Sequence, residues 1–454
     1  MRAGLVRQAL RRHRWAFLGP VSTQCVAATV VGVMVMTGRS LDLAPLDAAQ
    51  REAVVAADVP AATGVFSGIA VYLSILLVGV TMNSTIAQQA RDIALLRAVG
   101  ATPGQIRRSV VLQAATVAVP ASILGYGLSL GAGPVWLALL AGHGVLPTPV
   151  RFVPDLRVLP LVVAIAVGTS VVGGLVAAIR PARVRPATAL TETAIGRPPG
   201  VAVRVAVGLV LLAGGVVLAS VLATIAPEQA ADVGFFVILA MCVGVGLLGP
   251  VLLRATAWLV RPALRGPGGA GWGGGAALLA ADNVAAQSRA LSGALIPLVL
   301  AVAFAAVKVA AHTTAEHVTG TGDPGWEIWL DYSGTAVYGV FAAVAALNTL
   351  ITVAVGRRHD LAVVQLAGAT RPRLVGVVIC EAGLVLVVAL GLAALVAGVT
   401  LTPLLHSGLG TWLPYVPVSY LAAGVLAAAA VVAGGTVAPA LVLIRTPPIE
   451  VVTQ

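Results

Sequence analysis

This chain has little charge. Asp, Glu, Lys and Arg make up 10% of its 454 residues, where a water-soluble domain carries about 25%. So few cannot cover a solvated surface, and a soluble globular protein is excluded. Lysine is almost missing: Lys308 is the only one, and it lies near the outer end of an apolar run. A phosphate-binding loop needs GxxxxGK[ST], so the chain cannot hydrolyse ATP by that motif and is not expected to be an enzyme. Cysteine is rare as well. Cys25, Cys242 and Cys380 stand far apart in apolar runs without a CxxC spacing, which reads as small packing residues. The six histidines (His13, His143, His312, His317, His359 and His406) form no compact ligand set, and the interval of His312 and His317 suits no single helix face. No metal site is expected. Nor is a catalytic residue, since no Ser/His/Asp or paired-carboxylate arrangement is present.

What the chain has is apolar length. It is 59% hydrophobic with a mean hydropathy of +1.00, and runs of about 20 apolar residues recur, enough to cross roughly 30 Å of hydrocarbon as helices. The expected fold is an all-α polytopic membrane protein with about ten transmembrane helices. The spans are drawn at Trp15–Met36, Gly64–Gln88, Ser109–Leu140, Leu156–Ile179, Val205–Ile225, Gly234–Leu253, Ala290–Ala311, Tyr332–Val355, Leu374–Leu401 and Val418–Ile444. The first apolar run exceeds the 7–15 residues of a signal-peptide core, so it is read as an uncleaved span.

The net charge of +11 invites a nucleic-acid partner, but its placement points elsewhere. With the N-terminus inside, the inner segments hold 23 basic residues against five acids, and the outer ones five against eleven. That is the positive-inside rule at nearly every short loop. The partner is the lipid bilayer, not nucleic acid, and the expected place is a cell membrane (inner or plasma) with both termini cytoplasmic.

One element is written twice. QARDIALLRAVGATPGQIRR runs from Gln89 to Arg108, and RRHDLAVVQLAGATRPRLVG from Arg357 to Gly376. A shift of 268 positions brings Asp92 onto Asp360 and Gly100-Ala101-Thr102 onto Gly368-Ala369-Thr370. Four domains follow: a first four-helix unit over 1–200, a two-helix insert over 201–265, a Gly-rich linker over 266–275 and a second four-helix unit over 276–454. An even number of spans separates the units, so they are parallel repeats. Each opens on a segment suited to an amphipathic surface helix, Leu5–Arg12 and Ala276–Asn283. The linker GPGGAGWGGG contains a literal GxGxxG, but no strand precedes it and a dinucleotide site is not expected there.

Each copy halts insertion with Arg91-Asp92 or Arg357-Arg358-His359-Asp360. Helical spacing continues through Ile93, Leu95, Leu96 and Val99, turns at Gly100 or Gly368, and restarts near Pro103 or Pro372. The expected shape is a small helical elbow between two long spans. A soluble partner moving against it would tilt both attached helices.

At these residues the chain resembles the FtsX/MacB-type permeases of ABC transporters. Both elbows match the pattern, Glu381 resembles the usual Glu after the elbow, and Arg180–Leu190 is similar to the unit ending. The resemblance implies a permease, in the ten-span branch like the bacitracin-export permeases, whose elbows seat in a separate ATPase dimer. It implies ATPase-coupling roles for Arg91, Asp92, Leu95, Arg97, Gly100, Ala101 and Thr102, and for Arg358, Asp360, Val363, Gly368, Ala369 and Thr370. It places ATP and Mg in the partner and no cofactor in this chain. The implied activity is export or extraction of an amphipathic or hydrophobic substrate: an antimicrobial peptide (hence antibiotic resistance), a drug or a lipid. A sensor kinase or accessory protein is a further implied partner. Gln113 and Gln365 depart from the pattern, and no large outer domain is present. The other reading is a membrane sensor or scaffold relaying a ligand signal to a kinase or cell-wall hydrolase without substrate flux.

Three residue groups remain. Glu381 lies about two turns into a span, where an ionisable group is costly and a candidate functional residue, within reach of headgroups or the elbow backbone. Gly127 and Gly131, spaced as GxxxG, are expected to allow close helix packing. The outer loop Thr37–Thr63 shows a weak helical period, and that of His312–Asp331 carries Trp326 and Trp329, suited to the membrane interface.

Overall fold

The structure, a computed structural model, describes residues 17–57, 59–146, 150–178, 201–224, 227–265, 272–322 and 324–445. The surface helix expected at Leu5–Arg12, the segment Arg180–Leu190 and the linker residues 266–271 lie outside them. Fourteen helices and no strand are found among the described residues. In chain order they are α1 (Leu18–Leu43), α2 (Ala48–Ala56), α3 (Val59–Gln88), α4 (Ala90–Ala98), α5 (Pro103–Gly142), α6 (Val158–Ala178) and α7 (Val201–Leu222). There follow α8 (Pro227–Arg265), α9 (Trp272–Ala286), α10 (Ser288–Thr319), α11 (Gly325–Gly356), α12 (Arg358–Leu366), α13 (Arg371–Leu409) and α14 (Val418–Arg445).

Ten of these helices are long and apolar enough to cross a bilayer, and the fold is that of an all-α polytopic membrane protein. Several outrun the spans drawn from hydropathy. α5 has 40 residues, about 60 Å at 1.5 Å per residue, twice the hydrocarbon thickness. The outer loop expected over His312–Asp331 shrinks for the same reason. α10 stays helical through its polar end until Gly320 adopts φ +70°, and α11 begins at Gly325. Polar side chains stop burial in lipid, but they do not stop helical hydrogen bonding. Of the period expected through Leu43, Leu46 and Ala53, only Ala53 falls in α2: Leu43 ends α1 and Leu46 lies in the turn between them. α2 is opened by a reciprocal cap of Asp47 and Gln50. The Gly-rich stretch turns helical at Trp272, and the helix expected at Ala276–Asn283 is α9.

The described helices fall into two compact units. One comprises α1–α6 with α11 up to Ala345; the other comprises α7–α10, α11 from Ala346, and α12–α14. In the first, α1 and α5 approach most closely at Gly125, where a Cβ would sit 2.5 Å from the Cys25 carbonyl oxygen and 2.6 Å from the Ala28 Cβ. Ser129 and Gly133 continue this face one and two turns on, meeting Gly32 and the Phe152 ring. The packing expected of Gly127 and Gly131 is not there: a Cβ at either would meet open space. They sit two positions off the packing stripe, which rotates them about 200° around the helix. At the C-terminal end of α5 this unit stacks Trp329 on Trp136 (5.6 Å) and on His143 (4.2 Å). In the second unit α7 and α8 meet through Gly208 and Gly244, each backbone against the other.

Candidate functional site: twin elbows and their anchors

The repeated stretches fold alike, boundary for boundary. α3 ends at Gln88, α4 spans Ala90–Ala98 and α5 begins at Pro103; α11 ends at Gly356, α12 spans Arg358–Leu366 and α13 begins at Arg371. Every one of these limits recurs 268 positions later. The residues that open the elbows, Gln89 and Arg357, have φ/ψ of −92/5° and −88/3°. Gly100 and Gly368 take φ of +102° and +95°, the left-handed region that L side chains avoid. The amide of Ala101 donates to Leu96 O and that of Gly100 to Arg97 O; Ala369 and Gly368 do the same to Val364 O and Gln365 O. This is a Schellman ending in both copies, and it accounts for glycine at that place. Thr102 and Thr370 then cap the next long helix in the same extended conformation. Thr102 forms a reciprocal box with Gln105. Thr370 makes no side-chain cap bond, and Arg373 in the place of Gln105 has no acceptor to return one to the Thr370 amide.

One side of each elbow is held and the other is open. Ile93 packs against the inner cluster of Met82, Ile86 and Val110. Its counterpart Leu361 is buried with Leu374 and Ile444. On the other side Leu95 and Leu96 are 53% and 37% exposed, and their counterparts Val363 and Val364 are 47% and 41% exposed. Val99 is exposed on the first elbow and Leu366 on the second. Asp92 and Asp360 occupy the first turns and Arg97 a last turn, each sign favoured by the helix dipole at its end. Arg91 and Arg358 fall in the first turns as well. Gln365, in Arg97's place, donates to Ile444 O at 3.4 Å, tying the second elbow to α14. Ala101 and Ala369 are half-buried in the turns.

Glu381 lies a few turns into α13 and is 6% exposed. Its carboxylate takes both Nη atoms of Arg357, Nη2 at 2.8 Å, in a fork pairing. It also accepts from Asn283 Nδ2 at 2.6 Å. A buried carboxylate needs such company, since uncompensated burial of a charge costs several kcal/mol. Three elements therefore meet at one side chain: the start of the second elbow, span α13 and the helix α9.

The positions 268 residues earlier are Gln89 and Gln113. Both are buried, each 4% exposed, and Gln89 Nε2 and Gln113 Oε1 have no hydrogen-bond partner. A fork-bonded ion pair in one copy thus corresponds to two neutral amides in the other. The sequence reading singled out Glu381 but assigned it no partner, and it placed neither Asn283 nor Gln89. The signal was present: both members of an opposite-charge pair become neutral together under the repeat shift. Another buried polar group also escaped it. Gln24 donates to Ala166 O (2.8 Å), Thr169 Oγ1 (3.0 Å) and Ser170 Oγ, and accepts from Ser74 Oγ (2.9 Å), joining α1, α3 and α6.

The family model of the FtsX-like permease C-terminal region matches residues 64–186. Over those residues the chain is similar to FtsX-like permeases. The match contains most of α3, the whole first elbow and α5 and α6, so the turn at Gly100 lies within it. No curated protein matches the chain. With ten helices among the described residues long and apolar enough to cross a bilayer, this is a multi-pass membrane protein. FtsX-like permeases are the membrane component of their systems, not the ATPase, and typically work with a partner that is.

Proposed function

We propose that this chain is the permease subunit of an ABC transporter. Both elbows would seat in a separate ATPase dimer on the cytoplasmic face, one in each half of the chain. ATP and Mg belong to that partner. The observation that carries the reading is the pairing of Leu95-Leu96 with Val363-Val364: two exposed apolar patches on elbows of the same backbone geometry. An apolar surface outside the bilayer, repeated and rigidly mounted, is suited to a protein partner. The domain organisation proposed with it is a four-helix unit at each end of the chain and a two-helix insert between.

The substrate proposed is amphipathic or hydrophobic, because the spans are rich in Ala, Val and Gly and poor in charge; outward movement is what the family resemblance implies. The test is purification of the chain from its native membrane with its bound partners. An ATP-hydrolysing subunit is expected, and it should be lost when Leu95 and Val363 are both replaced by Asp. Recovery of the chain without a nucleotide-hydrolysing partner would overturn the reading.

A further inference from the structure

We infer that the connection between α13 and α14, residues 410–417, docks into the interfacial layer of the bilayer leaflet away from the elbows, with phospholipid as the partner of its apolar face. α13 starts at the turn of the second elbow and ends at Leu409, so this connection lies at the far end of that span. Between Glu381 and Arg445 the sequence holds no Asp, Glu, Lys or Arg, through two spans and the loop that joins them. The corresponding connection of the first unit, between α5 and α6, carries Arg151, Asp155 and Arg157, with Asp155 paired to Arg39 at 2.9 Å. In place of such charges the second connection exposes Trp412, Leu413 and Tyr415, followed by Val418 and Tyr420 at the start of α14. Trp and Tyr, apolar rings with one polar edge, gather at the headgroup boundary. The face continues along α14 at the exposed Leu421 and Val425, so it runs without a break into a span.

The loop meets lipid with its backbone provided for. The Tyr415 amide donates to Thr314 Oγ1 at 2.9 Å, and the Tyr415 carbonyl accepts from Thr313 Oγ1 at 2.6 Å. Both threonines are buried on α10. Pro414 and Pro417 have no N–H to satisfy. Near hydrocarbon a bare backbone group costs several kcal/mol, so these ties suit a loop at that depth. Two stacks hold the aromatic rings from one side: His406 on Trp412, with centroids 3.8 Å apart, and His317 on Tyr415 at 4.1 Å. Their other sides stay open. Depth agrees as well. α14 has 28 residues, about 42 Å at 1.5 Å per residue, and a bilayer with its headgroups is roughly 40–45 Å thick. With Arg445 at one boundary, Val418 and the loop before it reach the other. The docked loop thus fixes the depth of the far end of α13.

Spin-label accessibility tests this on the purified full chain in nanodiscs of phosphatidylcholine and phosphatidylglycerol, with no other protein present. Cys25, Cys242 and Cys380 are replaced by Ala, and one nitroxide is attached at Leu413→Cys or Val418→Cys. These side chains are 80% and 79% exposed, so labelling them disturbs no packing. Arg151→Cys, also exposed, is the reference in the charged connection. The labels at 413 and 418 should collide freely with dissolved oxygen and lose most of the nickel-chelate collisions seen at 151. A second measurement keeps the native cysteines: quenching of tryptophan emission by phosphatidylcholine with brominated chains should fall in Trp412→Phe. Nickel chelate reaching 413 as freely as 151 would place the loop in water, with its face left to a protein partner. Few collisions with either reagent would mean that protein covers it. Either result, or quenching unchanged in Trp412→Phe, would overturn the inference. No ATPase enters these measurements, so their failure is distinct from failure to find one.

Discussion

Arg204 donates to the carbonyl oxygen of Gly246 at 3.1 Å, the oxygen that would have accepted from residue 250 had that residue an N–H to give. Residue 250 is Pro250, inside α8. Proline removes the i→i−4 bond, and in a bilayer a carbonyl left bare is expensive. The guanidinium of a neighbouring helix supplies the missing donor. Its long side chain is thereby fixed across α7, α8 and α10.

This pairing predicts a coupled response. Arg204→Met should lower stability by about 1–3 kcal/mol, the cost of an unmet buried acceptor. In a Pro250→Ala background, where the helix regains its own donor, the same substitution should cost distinctly less. Thermal unfolding of the four proteins in nanodiscs measures the difference. Equal costs in both backgrounds would show that Arg204 acts by another route.

At Gly100 and Gly368 the penalty of a side chain is purely conformational. Both have positive φ, and a Cβ at either would meet nothing within 4 Å. Alanine should therefore cost about 1–2 kcal/mol at each, and asparagine less. The effect should show as faster amide exchange in Ala101 and Ala369, whose bonds close the Schellman turns.

Glycines of α5 should separate sharply. Gly125→Ala pushes a methyl into the backbone of α1, and large losses of folded protein are expected, as for overpacking of about 1–3 kcal/mol or more. Gly127→Ala and Gly131→Ala face open space and should be neutral or slightly stabilising through helix propensity, at most about 1 kcal/mol. Folded yield by size-exclusion fluorescence distinguishes the sites.

Gln24→Leu should destabilise the first unit by about 1–3 kcal/mol, because Ser74, Thr169 and Ser170 lose their shared partner in a buried place. Gln24→Leu combined with Ser74→Ala should cost less than the sum of the single changes, since the removed partners no longer need each other. Denaturation midpoints of the three variants settle it.

The ten spans and both elbows were legible in the residues because each rests on something local. A run of about 20 apolar residues must bury its backbone in lipid as helix, and a glycine that must turn left-handed leaves its mark beside Ala-Thr in both copies. The repeat shift of 268 even carried the helix limits, since the same short-range bonds close both elbows. Helix rotation was different. Gly127 and Gly131 looked like a packing motif, yet Gly125, Ser129 and Gly133 hold that face.

What the chain's sequence determined alone is therefore its class, its spans, and the place and backbone shape of the two elbows. Which side chains meet was decided only by tertiary structure: Glu381 with Arg357 and Asn283, Gln24 with Ser74 and Thr169, Arg204 with Gly246. A helix that is apolar all round has no polar stripe to announce its facing. Lipid is as apolar as leucine, so the hydrophobic effect does not orient one span against another. Orientation comes instead from close contact and from buried polar partners, and those exist only once distant segments have come together.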